Sequence, residues 1–200
     1  MGVVTHILDA FRRWGSPTQR SALSRQDEYV ANKTVLERRR TTVPGPLGPV
    51  EGFVATIAPF EESVSTLSHD ELVPILGNAE SAIEFVATFA SALEQQLTLN
   101  DMDSAFSAWI AATDQRGYTA EAVIELLGAA FGNYCVERLN MRWVQVSDAD
   151  GTALAVDGIR NVFRCYPYHS ISKRLAAGET GFFVGVFALL EDMAREAVAR

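Results

Sequence analysis

The chain has 200 residues, of which 48% are hydrophobic and 21% are charged, and its formal net charge is −8 at pH 7. These values are ordinary for a globular protein, and a chain of this length buries enough surface to fold without a disulfide or a structural metal. The two cysteines, Cys135 and Cys165, form no Cys-x-x-Cys pair, which argues against a disulfide scaffold and a zinc ribbon. We therefore expect a protein of the reducing cytoplasm.

The charge is unevenly distributed along the chain. Residues 1–50 hold 8 Lys and Arg against 4 Asp and Glu, a charge of +4, whereas residues 51–200 hold 9 against 21, a charge of −12. An acidic body argues against non-specific binding to nucleic acid. It favours a protein partner with a basic surface, and we expect no nucleic-acid partner.

The first residues, Met-Gly-Val-Val-Thr-His, contain no basic segment followed by a long apolar run, so we predict no secretion signal. The chain contains no run of 18 apolar residues, so we also predict no membrane span.

Residues 1–43 are predicted to form a basic helical arm. Apolar residues between Val3 and Trp14 follow helical spacing, and a second helix is predicted from Ser24 to about Arg40. Residues 44–52 are rich in Pro and Gly and are predicted to be a linker. The arm is expected to pack on the body, or to exchange between the subunits of a homo-oligomer through residues 1–40.

Residues 53–200 are predicted to form an α+β body that is helical from Phe53 to Gln115. Ser68 and Glu71 match a capping box, and Pro74 is predicted to keep its helix short. A longer helix is then predicted to begin at Asn78.

A helix is predicted from Thr119 to Leu139, with Asn140 at its end. Gly128 and Gly132 lie four residues apart on one face of this helix. Two glycines inside a helix cost about 1 kcal/mol each relative to alanine. We therefore predict that another element approaches the helix closely at these two positions.

The last third of the chain is predicted to begin with a small three-stranded antiparallel sheet. The strands are predicted at residues 141–146, 152–156 and 159–166, with turns between them. A short helix is predicted to end at Gly178, and a final helix to begin at Thr180. Because strands and helices do not alternate in a βαβ pattern, the predicted class is α+β: a mostly helical N-terminal part, then a sheet packed against helices.

Short motifs between residues 119 and 187 resemble those of a bacterial family catalogued as a domain of unknown function. These motifs are Gly132-Asn-Tyr134, Trp143-Val144, Asp148 to Gly151, Pro167-Tyr168, Lys173-Arg174 and Gly178-Glu179. The resemblance covers about a third of the chain and implies no activity.

The familiar catalytic motifs of nucleotide-binding proteins, α/β-hydrolases and zinc proteases are missing from the sequence. Ser170 to Lys173 matches Ser-x-x-Lys, but its partner motifs are missing, and Ser170 is more simply interpreted as a helix N-cap. The histidines His6, His69 and His169 are scattered. We expect no metal site and no cofactor.

The densest group of polar and aromatic residues is our candidate partner-binding cluster. Its members are Tyr166, Tyr168, His169, Lys173, Arg174 and Glu179. Tyrosine and arginine are typical anchors of protein interfaces. The alternative is a rim of solvated side chains held by exposed ion pairs, which contribute about 0–1 kcal/mol each.

Three hypotheses for the function remain open. The leading one is a cytoplasmic protein-binding or accessory module, for example of the immunity type, whose acidic body masks a basic partner. The second is an enzyme of unfamiliar type, a hydrolase or transferase, that uses Tyr168, His169 and Lys173. The third is a structural homo-oligomer assembled through the N-terminal helices. The sequence leans against an enzyme, and its catalytic residues would be unknown.

Overall fold

The computed structural model describes residues 5–9, 35–45, 48–57, 61–90, 96–148 and 151–199. These residues form seven β-strands and five α-helices. The strands are β1 (Thr5–Asp9), β2 (Val35–Gly45), β3 (Gly48–Ile57), β4 (Ser63–Thr66), β5 (Arg142–Asp148), β6 (Gly151–Asp157) and β7 (Phe163–Cys165). The helices are α1 (His69–Phe89), α2 (Leu99–Ala111), α3 (Ala120–Leu139), α4 (Pro167–Ala177) and α5 (Phe183–Ala199).

The strands form one sheet in the order β2-β3-β1-β7-β6-β5-β4. Strands β4 to β7 pair antiparallel, and β1 pairs parallel with β7 and antiparallel with β3. The predicted α+β class is confirmed, but the prediction of three antiparallel strands is wrong, because β4 extends that part of the sheet to four. This strand escaped prediction because it has four residues, all exposed, and therefore shows no apolar alternation.

The N-terminal part differs most from the sequence-based expectation. Residues 35–43, predicted as helix and arm, belong to β2, and Phe53, where the helical body should begin, lies in β3. The described residues of the predicted linker, 44–45 and 48–52, belong to β2 and β3, with Pro44 opposite Pro49. Pairing along the whole hairpin outweighs the local helical spacing. Strand β1 likewise replaces the helix predicted around residues 5–9; residues 10–34 of the predicted arm lie outside the described residues.

The two faces of the sheet have different environments. One face, with Trp143, Val156, Phe163 and Cys165, contributes to the large apolar core that also contains side chains from all five helices. The opposite face carries a smaller cluster, made of Val144, Val146, Ala153, Ala155 and Tyr166. Alternate residues of β5 and β6 therefore enter different clusters, as the two-residue period of a strand requires.

Helix α1 begins as predicted but is longer. Ser68 and Glu71 form the predicted capping box, with the Ser68 N–H donating to Glu71 Oε2 at 2.8 Å. The prediction that Pro74 keeps this helix short is wrong, as is the predicted start at Asn78, because one helix runs through both positions. Pro74 removes a single backbone hydrogen bond, and packing of Leu72 before it and Ile75 after it against the core keeps the helix intact.

The remaining helix ends agree with prediction where they depend on local residues. Thr119 accepts a hydrogen bond from the Ala122 N–H at 3.2 Å, and Asn140 ends α3 with a left-handed φ of 52°. Gly178 ends α4 with a φ of 66°. The third predicted strand is shorter than expected, because Ile159–Asn161 forms a turn of 3₁₀ helix before β7.

Candidate functional site

The structure places the candidate partner-binding cluster mostly inside the protein. Tyr166, Tyr168, His169 and Arg174 are buried, whereas Lys173 and Glu179 are half-buried. The first four therefore form neither a solvated rim nor an exposed patch. They contact different parts of the molecule.

Tyr168 packs against α3 at Gly128. A Cβ atom at Gly128 would overlap the Tyr168 ring, whose Cε1 atom would be 2.9 Å away. The Tyr168 ring also packs against Trp143, with ring centroids 5.9 Å apart. Burial raises the pKa of Tyr168, and the nearby charge of Glu125 adds to this effect, so the phenol stays protonated at neutral pH.

Gly132 makes the same kind of space for Trp143. A Cβ atom at Gly132 would overlap the indole ring, with Cε2 3.1 Å away. The indole N–H donates to Asn133 Oδ1 at 2.8 Å, which fixes the ring over the glycine. The predicted close approach at Gly128 and Gly132 is confirmed, and the approaching groups are two aromatic side chains of the same chain.

The side chain of Arg174, a residue of α4, reaches the segment just before α5. Its guanidinium carbon is 4.7 Å from the centroid of the Phe182 ring, and its Nη1 donates to the Ser170 carbonyl oxygen at 2.9 Å. Asp103 of α2 accepts hydrogen bonds from the N–H groups of Phe183, at 3.0 Å, and Val184, at 3.4 Å. A side chain eighty residues away thus caps α5, and this explains why the helix begins at Phe183 and not at Thr180 as predicted.

Tyr166 belongs to a second buried group that our sequence analysis missed. On the face of the sheet opposite the main core, Arg164 Nε donates to Asp157 Oδ1 at 2.9 Å. Its Nη1 donates to both carboxylate oxygens of Glu62, at 2.9 and 3.1 Å. Burial alone would lower the pKa of Arg164, but Tyr166, Asp157 and Glu62 raise it, so the guanidinium stays charged. Burial raises the pKa of Tyr166 to about 12.

Asp157 and Arg164 are direct partners across the β6–β7 pairing. Opposite charges at paired positions of adjacent predicted strands are a signal that the sequence does contain. Within the described part of the chain, Asp157 Oδ2 and Arg164 Nη2 have no hydrogen-bond partner. The cluster is therefore a buried ionic group that is only partly satisfied.

The two buried cysteine thiols, Cys135 and Cys165, lack the lowered pKa that activates a thiol as a nucleophile. Burial raises the pKa of the Cys165 thiol to about 12, although a hydrogen bond with Ser170 and the charge of Arg174 oppose the shift. Burial raises the pKa of Cys135 as well. Catalytic cysteines instead have lowered pKa values and an accessible thiolate. These two thiols are core residues.

Helix geometry separates the residues of the enzyme hypothesis. His169 and Lys173 are four apart in α4 and share a face, but Tyr168 and Lys173, five apart, point about 140° apart around the helix axis. Tyr168 is directed towards α3 at Gly128. The three side chains therefore do not converge on one point from this helix.

An exposed apolar surface lies instead on α1. Of the five large apolar side chains exposed in the described part of the chain, three are on this helix: Val73, Leu76 and Ile83. The opposite side of α1 carries Ile75 and Phe85 into the core. We call the three exposed residues the α1 apolar row.

Helix α1 also has the length and composition of a membrane-spanning helix, and it is the one helix of this kind among the described residues. Core helices of water-soluble proteins have the same length and composition, so one such helix is weak evidence for a membrane span. Its first turn contains the acidic residues Asp70 and Glu71.

Comparison with known proteins finds a similarity to a family whose function is unknown. Residues 100–187 match a family model described as "Domain of unknown function (DUF3806)". The predicted resemblance to such a family is confirmed, and the match begins earlier in the chain than residue 119. No curated protein matches. A crystal structure from Bacteroides thetaiotaomicron VPI-5482, at 1.50 Å resolution, has a TM-score of 0.44 and 10% sequence identity, over 86% of this chain and 76% of that one.

The motifs that carry the family resemblance have structural roles here. Gly132 and Trp143 contact each other, and Pro167 occupies the first turn of α4. At the other end of α4, Gly178 takes the left-handed conformation and the Glu179 N–H donates to the Arg174 carbonyl oxygen at 2.9 Å. Gly132 and Trp143 thus pack α3 against the sheet, and Pro167, Gly178 and Glu179 define the two ends of α4.

Proposed function

We propose that the chain is a cytoplasmic protein-binding or accessory module, for example of the immunity type, whose acidic body takes a basic protein partner. The observation that carries the proposal is the α1 apolar row, an exposed apolar surface on a body whose charge is −12. Interfaces commonly combine an apolar centre with a charged rim, and opposite charges on the partners raise the rate of association.

The burial of Tyr166 and Tyr168, two members of the candidate partner-binding cluster, argues against a catalytic role for them. Tyr166 and Tyr168 have raised pKa values, and each is packed within the fold. Catalytic groups have pKa values matched to their task, near the working pH for a general acid or base. The exposed side chains of α1 include apolar side chains and carboxylates, which are binding groups.

Affinity capture from the native host's lysate tests this proposal. The tagged protein is incubated with lysate at low and at high salt, and the retained proteins are identified by mass spectrometry. We expect one basic partner that is retained at low salt and released at high salt, because screening weakens exposed charge pairs. A well-folded protein that captures nothing at either salt concentration overturns the proposal.

A pair of charge variants makes the capture specific. Glu80→Gln with Glu84→Gln removes two exposed carboxylates from α1, and Glu191→Gln with Asp192→Asn removes two exposed carboxylates from α5. The first pair should weaken the complex and reduce its salt dependence, while the second changes the net charge equally. An unchanged affinity in both pairs would contradict an electrostatic contribution to binding.

A further inference from the structure

We infer that the exposed face of α1 is the docking surface for an amphipathic helix of the partner protein, a helix with an apolar row flanked by Lys or Arg. This inference rests on the proposed function and names its surface and the kind of element that fits. It follows from the apolar row, from one glycine and from the charges of α1.

The α1 apolar row has the spacing that packs against another helix. Val73, Leu76 and Ile83 are 51%, 42% and 48% exposed, and they are separated by three and seven residues. Side chains at such spacings form one stripe along a helix, in which exposed Glu80 lies between Leu76 and Ile83, and exposed Ala87 continues it by one turn. From Val73 to Ala87 the stripe is about 21 Å long, which matches about four turns of a partner helix.

Gly77 marks the point of closest approach on this face. It lies in the middle of α1, is exposed, and has nothing within 4 Å of the position where a Cβ would be. The glycines of α3 accept rings of the same chain, but no group of the described residues fills the space above Gly77. A helix-interior glycine costs about 1 kcal/mol relative to alanine. A partner helix that packs closely over Gly77 accounts for a small residue here.

The charges of α1 select the occupant. The helix contains no Lys or Arg, and its carboxylates are Asp70, Glu71, Glu80 and Glu84. In a pairing of two copies of α1, these carboxylates would repel one another. An anionic membrane surface would repel them too, because helices that bind such surfaces carry Lys and Arg on their polar face. A basic amphipathic helix complements both the apolar row and the carboxylates.

Synthetic peptides test the surface with defined probes. The first is a peptide of about 18 residues made of Leu, Lys and Ala, with Leu at spacings of three and four. The second has the same composition in scrambled order, and the third has Glu in place of Lys. Binding of each fluorescent peptide to the full chain is measured by anisotropy at low and high salt. We expect the first to bind most tightly and to weaken with salt.

Two matched variants locate the binding. Ile83→Asp places a charge in the α1 apolar row, whereas Val198→Asp places the same charge at another exposed apolar residue, 71% exposed, on α5. We expect Ile83→Asp to weaken binding of the first peptide at least about tenfold, and Val198→Asp to leave it within about twofold. Both positions face solvent, so we expect both variants to fold, and thermal unfolding checks this.

The following outcomes overturn the inference. They are equal binding of all three peptides, equal effects of the two variants, self-association of the chain that Ile83→Asp abolishes, and flotation of the chain with anionic vesicles. Repeating the lysate capture with Ile83→Asp separates this inference from the proposed function. If the wild type and the variant capture the same partner equally, α1 is not the docking surface but the protein-binding function stands. If the wild type captures nothing, the proposed function itself fails.

Discussion

Glycines inside the helices have two kinds of surroundings, either a packed aromatic ring or open space. Gly128 and Gly132 leave room for the rings of Tyr168 and Trp143, so a larger residue would meet a buried aromatic side chain. Gly77 faces open space. The three positions have the same helix propensity but different neighbours, so we expect alanine to have opposite effects on stability.

We predict that Gly132→Ala destabilises the protein and that Gly77→Ala stabilises it. Alanine at position 132 gains about 1 kcal/mol in helix propensity, but overlap with the fixed Trp143 ring costs more, for a net loss of about 1–3 kcal/mol. Alanine at position 77 gains about 0.5–1 kcal/mol without a clash. Urea unfolding of both variants measures these changes. A stabilised Gly132→Ala would contradict the packing described for α3.

A second prediction at this scale concerns Asp103 and pH. Burial raises the pKa of Asp103 above its ordinary value of 3.8, although hydrogen bonds from the α5 N–H groups and the charge of Arg174 oppose this. Just above pH 3.8 the folded protein therefore holds a proton that the unfolded chain has lost, and the free energy of unfolding falls as pH rises through that window. Asp103→Asn cannot titrate, so the wild type should lose stability relative to this variant as pH rises from about 3.8.

Glu71→Gln is the matched control for the Asp103 measurement. Hydrogen bonds from the side chain and backbone of Ser68 lower the pKa of Glu71 below its ordinary value of 4.5. Its contribution to stability is present above pH 4.5 and is lost as pH falls through the folded pKa. The wild type should therefore gain stability relative to Glu71→Gln as pH rises. Urea unfolding across the acid range measures the difference in stability between the wild type and each variant. If this difference changed with pH in the same direction for both variants, the environments described for Asp103 and Glu71 would be contradicted.

Among the secondary-structure elements, those defined by neighbouring residues could be predicted, and those defined by distant residues could not. Ser68, Thr119, Asn140 and Gly178 each act within one turn of their own helix, so sequence reasoning found all four. The start of α5 depends on Asp103, which lies eighty residues earlier. Strands β1 to β3 are defined by pairing, which local spacing does not report.

The candidate site shows the same division. The close approach at Gly128 and Gly132 was predictable, because two glycines on one helix face imply a packed neighbour. The burial of Tyr166 and Arg174 was not, because polar residues are usually exposed and their partners come from other elements. Exposure of Ile83 was likewise unpredictable, since its apolar character indicates burial.

The buried ionic cluster consists of Arg164 on β7, Asp157 on β6 and Glu62, which directly precedes β4. Its energetics can be tested by substitution. Arg164→Met leaves the buried Asp157 carboxylate without a partner and should cost about 3–5 kcal/mol. Adding Asp157→Leu removes the orphaned charge, so the double variant should be more stable than the single one. Glu62, whose side chain is 16% exposed, can regain water. Urea unfolding at neutral pH measures the stability of both variants. A double variant that is less stable than Arg164→Met would contradict the predicted cost of an unpaired Asp157 carboxylate.

The molecule as a whole is an α+β protein, and its residues 100–187 match a family model whose function is unknown. Residues 51–200 carry a formal charge of −12, and among the described residues three of the five exposed large apolar side chains lie on α1. Part of the N-terminal region is built into the sheet, because β1 pairs with both β3 and β7. Deleting residues 1–40 would therefore remove strand residues as well as the predicted arm. Homo-oligomer formation is better tested by sedimentation of the full chain.

The central claim is that this acidic body binds a basic protein, and the dissociation constant of the purified complex tests it most directly. The partner identified by lysate capture is titrated with the full chain by calorimetry over a series of salt concentrations. We predict a single complex whose dissociation constant rises steadily with salt, and rises less steeply for Glu80→Gln with Glu84→Gln. A dissociation constant that is independent of salt and unchanged in this variant would contradict the account.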